Sequence, residues 1–141
     1  MKTIIHFALV LVVSFCTTES SAQKLALIDG KVFLDEKAIF SYDQKVLNNE
    51  FHLFRLNSEK IIVEIKQVHL EDESNSKEVS KILTFPKQNV TIESMSLSKR
   101  NWKYILQLLL EEKVINTNGV VNLSNLAQFA EKYGEKMNSL K

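Results

Sequence analysis

Apolar positions along this chain change their spacing near residue 98. Between 98 and 112, SKRNWKYILQLLLEE, the side chains of Trp102, Ile105, Leu106, Leu109 and Leu110 recur at intervals of three and four, and Leu108 widens the same face. That period predicts an amphipathic helix of roughly 22 Å, with Ser98 as its N-cap. A second helix is predicted over 124–133, with Leu123, Leu126, Ala127, Ala130 and Tyr133 on one side and Gly134 ending it in the left-handed conformation. Val120 and Val121, between the two, make a very short strand or a tether for the loop.

Before residue 98 the pattern is that of short strands. Residues 25–28 and 31–34 flank Asp29-Gly30, a dipeptide suited to a tight hairpin turn. Residues 38–42 follow, then a polar stretch at 43–50 interrupted by Val46 and Leu47. Further strands are predicted at 51–56, 61–70, 79–85 (stopped by Pro86) and 89–95. In the long strand Ile61, Val63 and Ile65 share one face, whereas Val68 and Leu70 carry the apolar character on the opposite parity. A bulge near Lys66-Gln67 would reconcile the two halves. The expectation is therefore an α+β fold. A curled antiparallel meander of about seven strands (24–95) is covered by two C-terminal helices (98–134).

The first 22 residues fall outside that scheme. Lys2, the unbroken apolar run at 4–15 and the polar segment at 17–21 have the layout of an export signal, and Ser20 and Ala22 are the small residues of a cleavage site before Gln23. The apolar run is too short for the roughly 20 residues of a membrane span. Cys16 follows Phe15, a bulky aromatic where a lipoprotein signal has a small residue, so lipidation is not expected. Cleavage after Ala22 leaves 23–141 as one domain without cysteine, exported to the periplasm or the medium and carrying no transmembrane segment. Such a domain must rest on packing alone, and thiol chemistry is excluded from it.

Charge is nearly balanced, with a net of +1, and sixteen of the eighteen basic side chains are lysine. No nucleic-acid footprint follows from that balance. His52 and His69 sit in separate strands; with Glu50 or Glu71 they would make a metal site only if the fold gathered them, and rim positions in a sheet are the simpler account. Glu71, Asp72, Glu73 and Asn75 put oxygen ligands in a row without the spacing of a calcium loop. Lys99, Arg100, Lys103 and Tyr104 surround Trp102 at the start of the first helix, where a core-facing tryptophan among solvated charges explains the mixture. Asn89 and Asn122 each open an N-glycosylation sequon. No nucleophile elbow and no glycine run for phosphate are present. Thus no catalytic, cofactor-binding or metal-ligating residue is assigned, and no cofactor is expected.

The phrases DGKVFLDEKAIFSY, NEFHLFRLNSEKIIVEI and LLLEEKVINTNGVVNLSNLAQFAEKYG resemble small secreted proteins of Bacteroidota that have no assigned function. The resemblance covers most of the mature chain and rests on general pattern. It implies strands followed by helices, a cell-envelope location, sequons that are chance matches, and no activity.

Two functions remain. One is a non-enzymatic secreted or periplasmic module that binds a protein, peptide or glycan through a sheet face or edge. The other is a small hydrolase, or a hydrolase inhibitor, built on His52, Arg55, Glu64 and His69. Convergence of those four side chains in one pocket separates the two.

Overall fold

The computed structural model describes residues 23–71 and 77–139. The proposed signal segment 1–22, with Cys16, and the acidic stretch at 72–76 lie outside the described residues. Eight strands form one antiparallel sheet in chain order: β1 (Leu25–Ile28), β2 (Lys31–Leu34), β3 (Lys37–Lys45), β4 (Glu50–Arg55), β5 (Ile61–Glu71), β6 (Lys77–Phe85), β7 (Val90–Ser94) and β8 (Lys136–Ser139). Two helices, α1 (Trp102–Glu111) and α2 (Leu123–Tyr133), connect β7 to β8. The meander stays open, with β1 and β8 as its edges. β8 is one strand more than the sequence pattern predicts. Its segment, KMNS, has a single large apolar residue and no alternation to reveal it; only the pairing of Glu93 to Lys136 and Ile92 to Met137 makes it a strand.

One face of the sheet is dry. Val32, Phe40, Phe51, Leu53, Val63, Ile65, Leu83, Phe85 and Ile92 alternate inward along successive strands and meet Ile105, Leu106, Leu108 and Leu109 of α1 and Leu126, Phe129 and Ala130 of α2. Trp102 and Leu110 are half-buried at the two ends of α1. In α2 Phe129 takes the central core position, while Leu123 and Ala127 are exposed instead of inward. The i, i+3, i+4 set of Leu126, Phe129, Ala130 and Tyr133 therefore sets the helix's rotation.

Three local expectations need correction. The N-cap of α1 is Asn101, not Ser98: its side-chain oxygen accepts from the backbone N–H of Tyr104 at 2.8 Å. Asn101→Ala should lower unfolding free energy by about 1 kcal/mol in urea denaturation, and Ser98→Ala by less than about 0.5 kcal/mol. Gly134 is extended, not left-handed (φ −97°, ψ 140°). Its requirement for glycine comes from crowding, since a Cβ there would lie 2.8 Å from both the Ala130 carbonyl oxygen and Ile92 Cγ2.

The third correction concerns the long strand. Pairing of β5 with β6 runs without a shift from Glu64–Thr84 to Glu71–Lys77, so no bulge occurs at Lys66-Gln67. β4 ends opposite Lys66, and beyond that point β5 and β6 run on as a two-stranded arm. The apolar parity is free to change there because the strand has left its β4 neighbour. The bulges lie at the opposite end. The β2–β3 register leaves Ile39 as an extra residue, and the β4–β5 register leaves Ile62 as another. Each bulge turns two consecutive residues inward, Ile39 with Phe40 and Ile62 with Val63.

At the arm end, Phe51 stacks on both Tyr42 and Trp102, with ring centroids 5.4 and 5.8 Å apart. Lys81, only 3 % exposed, lies over the Trp102 ring and donates to the carbonyl oxygens of Leu97 (3.2 Å) and Ser98 (2.7 Å). It pins the β7–α1 connection to the sheet, and burial pushes its ammonium below the ordinary lysine range. Lys99, Arg100 and Lys103 are exposed around this junction, as expected of charges solvating a helix start.

Candidate functional site

The four polar side chains considered for hydrolysis do not share a pocket. His52 and Glu64 are cross-strand partners on the face away from the helices. There His52 Nε2 lies 3.3 Å from Glu50, which also holds Lys66 at 3.3 Å. His69 is exposed on the two-stranded arm, on the opposite parity of β5. Arg55 closes β4 at the other end of the sheet. Among the described residues no group of three or more His, Cys, Asp or Glu side chains has the arrangement of a metal site.

The Glu50 pair has a calculable pH signature. Hydrogen bonding to the Lys66 ammonium holds the Glu50 carboxyl below its ordinary value of 4.5, aided by the charges of Lys66, His52 and Lys45 and opposed by desolvation. A carboxyl whose folded pKa is depressed stabilises the fold above its unfolded pKa and loses that contribution as pH falls through the folded value. Glu50→Gln should therefore lower stability at neutral pH, where the charged pair is lost, and converge with wild type as pH falls below about 4.5, giving a flatter acid limb in acid-titrated unfolding.

The end of the sheet at Arg55 has a different character. Three turns or bulges meet there: the Ile39 bulge, the tight β4–β5 connection, and the 3-10 turn Pro86–Gln88 between β6 and β7. In the connection Arg55 N–H donates to the Lys60 carbonyl and Ser58 N–H to the Arg55 carbonyl, both at 3.1 Å. Asn89 caps the 3-10 turn in the left-handed conformation (φ 53°), which its short polar side chain tolerates.

Over this end lies the α1–α2 connection, and its sequence explains its rigidity. Asn116 Oδ1 accepts from the N–H groups of Asn118 (3.0 Å) and Val120 (2.9 Å), while Gly119 N–H donates to the Asn116 carbonyl (2.9 Å). Ile115 and Val121 form an isolated bridge, which realises the tether expected of Val120-Val121. Asn122 caps α2 by accepting from Asn125 N–H, and the Asn125 amide donates to the Lys113 carbonyl at 2.9 Å. Both sequon asparagines thus have conformational roles. Gly119 sits at φ +77° against the sheet, where a Cβ would be 2.8 Å from Ile62 Cδ1 and 2.9 Å from Arg55 Cγ.

Between this loop and the strand ends run three adjoining open clefts, all lined by Arg55. One, of about 300 Å³, is bounded by Lys37, Ile39, Thr117 and Asn118. The second, about 450 Å³, is bounded by Lys87, Gln88, Val120 and Leu123. The third, about 500 Å³, is bounded by Glu59, Lys60, Ile61 and Pro86 together with Lys87 and Gln88. A fourth groove of similar volume, about 480 Å³, lies on the far side of the same loop around Leu34, Leu110 and Asn125. The three clefts at Arg55 are favoured because charge concentrates there: Lys37, Arg55, Lys60 and Lys87 face one carboxylate, Glu59. None of these cations takes part in an ion pair among the described residues. Val120 and Leu123 stand exposed beside them, and the Gln88 side-chain oxygen is buried without a hydrogen-bond partner. Sequence reasoning found Arg55 for another role and missed Lys87, Gln88 and Gly119. No local signal joins them, because they belong to different connections that only the folded sheet brings to one end.

No described helix is long and apolar enough to cross a membrane. Comparison with protein-family models, curated proteins and solved structures found no match.

Proposed function

We propose that this protein is a non-enzymatic binding module acting outside the cytoplasm, and that its partner, a protein, peptide or glycan, docks in the clefts around Arg55. The observation that carries the proposal is the meeting of three clefts on one arginine, Arg55, whose neighbours along them are three lysines and a single carboxylate. Cations gathered without matching anions raise the local potential and favour an anionic group on the partner. His52 and Glu64 are neighbours, but Arg55 at the far end of the sheet and His69 on the arm lie apart from them and from each other, which supports binding over hydrolysis. The export pattern at residues 1–22 supports an envelope or secreted location.

The test is retention from an envelope extract on immobilised protein, compared among wild type, Arg55→Gln and the distant control Glu50→Gln. The expected result is material retained by wild type and Glu50→Gln but reduced about tenfold with Arg55→Gln, the loss typical of a hydrogen bond to a charged group. Equal retention by all three proteins would remove the clefts from the account.

A further inference from the structure

We infer that the ligand of these clefts is a peptide C-terminus whose last residue is apolar, an inference that rests on the binding-module reading above. Three requirements meet within the two larger clefts. Arg55 and Lys87 supply cationic donors for a carboxylate, and both line both clefts. Val120 and Leu123 on one side, and Ile61 and Pro86 on the other, supply apolar walls. Val120 and Leu123 are 50 % and 62 % exposed, so this apolar surface is open to a ligand. The third feature is the unpartnered oxygen of Gln88, on the wall common to both clefts. That oxygen is buried in the free protein, and rotation about the soft terminal torsion of the glutamine would present it to a ligand N–H.

A peptide's last residue carries all three complements on adjacent atoms: a carboxylate, an amide N–H and a side chain. An internal Asp or Glu separates its carboxylate from the nearest apolar side chain by a further residue. A glycan is disfavoured because no aromatic ring lines the three clefts for a sugar to stack on. An acyl chain is disfavoured because the clefts are shallow and open, with no enclosed channel among the described residues. A guanidinium meets a carboxylate through two parallel hydrogen bonds, which gives the terminal group a fixed orientation.

The experiment is a fluorescence-anisotropy titration of the purified protein with short labelled Gly/Ser peptides. One ends in leucine with a free carboxylate, the second is its C-terminal amide, and the third is amidated with an internal glutamate. The expected result is binding of the first, about tenfold weaker binding of the other two, and loss of that discrimination in Arg55→Gln. Lys87→Gln, on an exposed turn, provides a second variant should Arg55→Gln alter the fold, and it should weaken the acid selectively. Leu123→Ser should weaken acid and amide alike by lessening the apolar contact. Equal binding of acid and amide, no binding of any peptide, or preference for the internal glutamate would each overturn the inference. If no peptide binds while extract retention still depends on Arg55, the terminal-carboxylate inference fails and the cleft reading survives. If retention is independent of Arg55, both fail.

Discussion

Phe51→Ala should lower unfolding free energy by about 3–5 kcal/mol, the range for removing a fully buried phenylalanine, and lower the thermal midpoint by about 10–20 °C. The ring is 0 % exposed, lies on the helix-covered face of β4, and bridges Tyr42 of β3 to Trp102 of α1. Removing it opens a cavity beneath the first turn of α1 and separates two stacked pairs, each worth about 0.5–1.5 kcal/mol beyond its buried area. The control is Phe54, three positions on and on the opposite face, where the ring is half-buried beside His52. Phe54→Ala should cost about 1–2 kcal/mol, because that face is already partly wet. Urea denaturation of both variants measures the contrast. A larger loss for Phe54→Ala would mean that the helices cover the wrong side of the sheet.

Gly119→Val has the second large effect, and it joins stability to the site. At φ +77° an L-residue is strained by about 1–2 kcal/mol, and a β-branched one by at least as much. Its Cβ also meets Ile62 and the Arg55 stem at less than 3 Å, adding an overpacking cost of about 1–3 kcal/mol. A total near 3 kcal/mol is expected, together with displacement of the guanidinium from the cleft wall. Gly30 separates the two causes. It has nearly the same φ, +78°, but its added Cβ would meet only the Tyr42 carbonyl oxygen, at 3.5 Å. Gly30→Ala should therefore cost only the backbone strain, about 1–2 kcal/mol. Equal losses at the two glycines, measured by denaturation, would show that the loop does not press on Arg55 and Ile62.

Much of the fold was legible because its signals are local. Alternation at 51–56 and 79–85 marks strands, the three-and-four spacing from Trp102 marks α1, and Asp29-Gly30 marks the first hairpin. What escaped depends on partners distant in sequence. The Ile39 and Ile62 bulges follow from cross-strand register, which the pattern of one strand does not carry. β8 exists because Glu93 and Ile92 offer it an edge. Gly134 announces a helix end equally well whether it turns left-handed or is squeezed between Ala130 and Ile92. The helix N-caps show the same ambiguity more mildly, since Ser98 and Asn101 are both acceptable caps and the β7–α1 turn decides between them.

The site was less legible than the fold. Arg55, Lys87, Gln88 and Gly119 are spread over 65 positions and have no spacing motif in common. They come together because a meander puts alternate connections at the same end of the sheet, and because the α1–α2 connection packs Gly119 against Arg55 and Ile62 at that end. Sequence reasoning weighed charged groups by type and so favoured histidines and carboxylates. The structure instead gathers Lys37, Arg55, Lys60 and Lys87 around one carboxylate, Glu59, a grouping that appears only when neighbours in space are known.

The most direct measurement of the central claim is a map of backbone amide chemical shifts in the labelled protein, taken before and after addition of the material it retains. Shifts concentrated at Arg55, Lys60, Lys87, Gln88 and Gly119–Leu123 are predicted. A response centred on His52 and Glu64 across the open face, or along the free edges of β1 and β8, would contradict it.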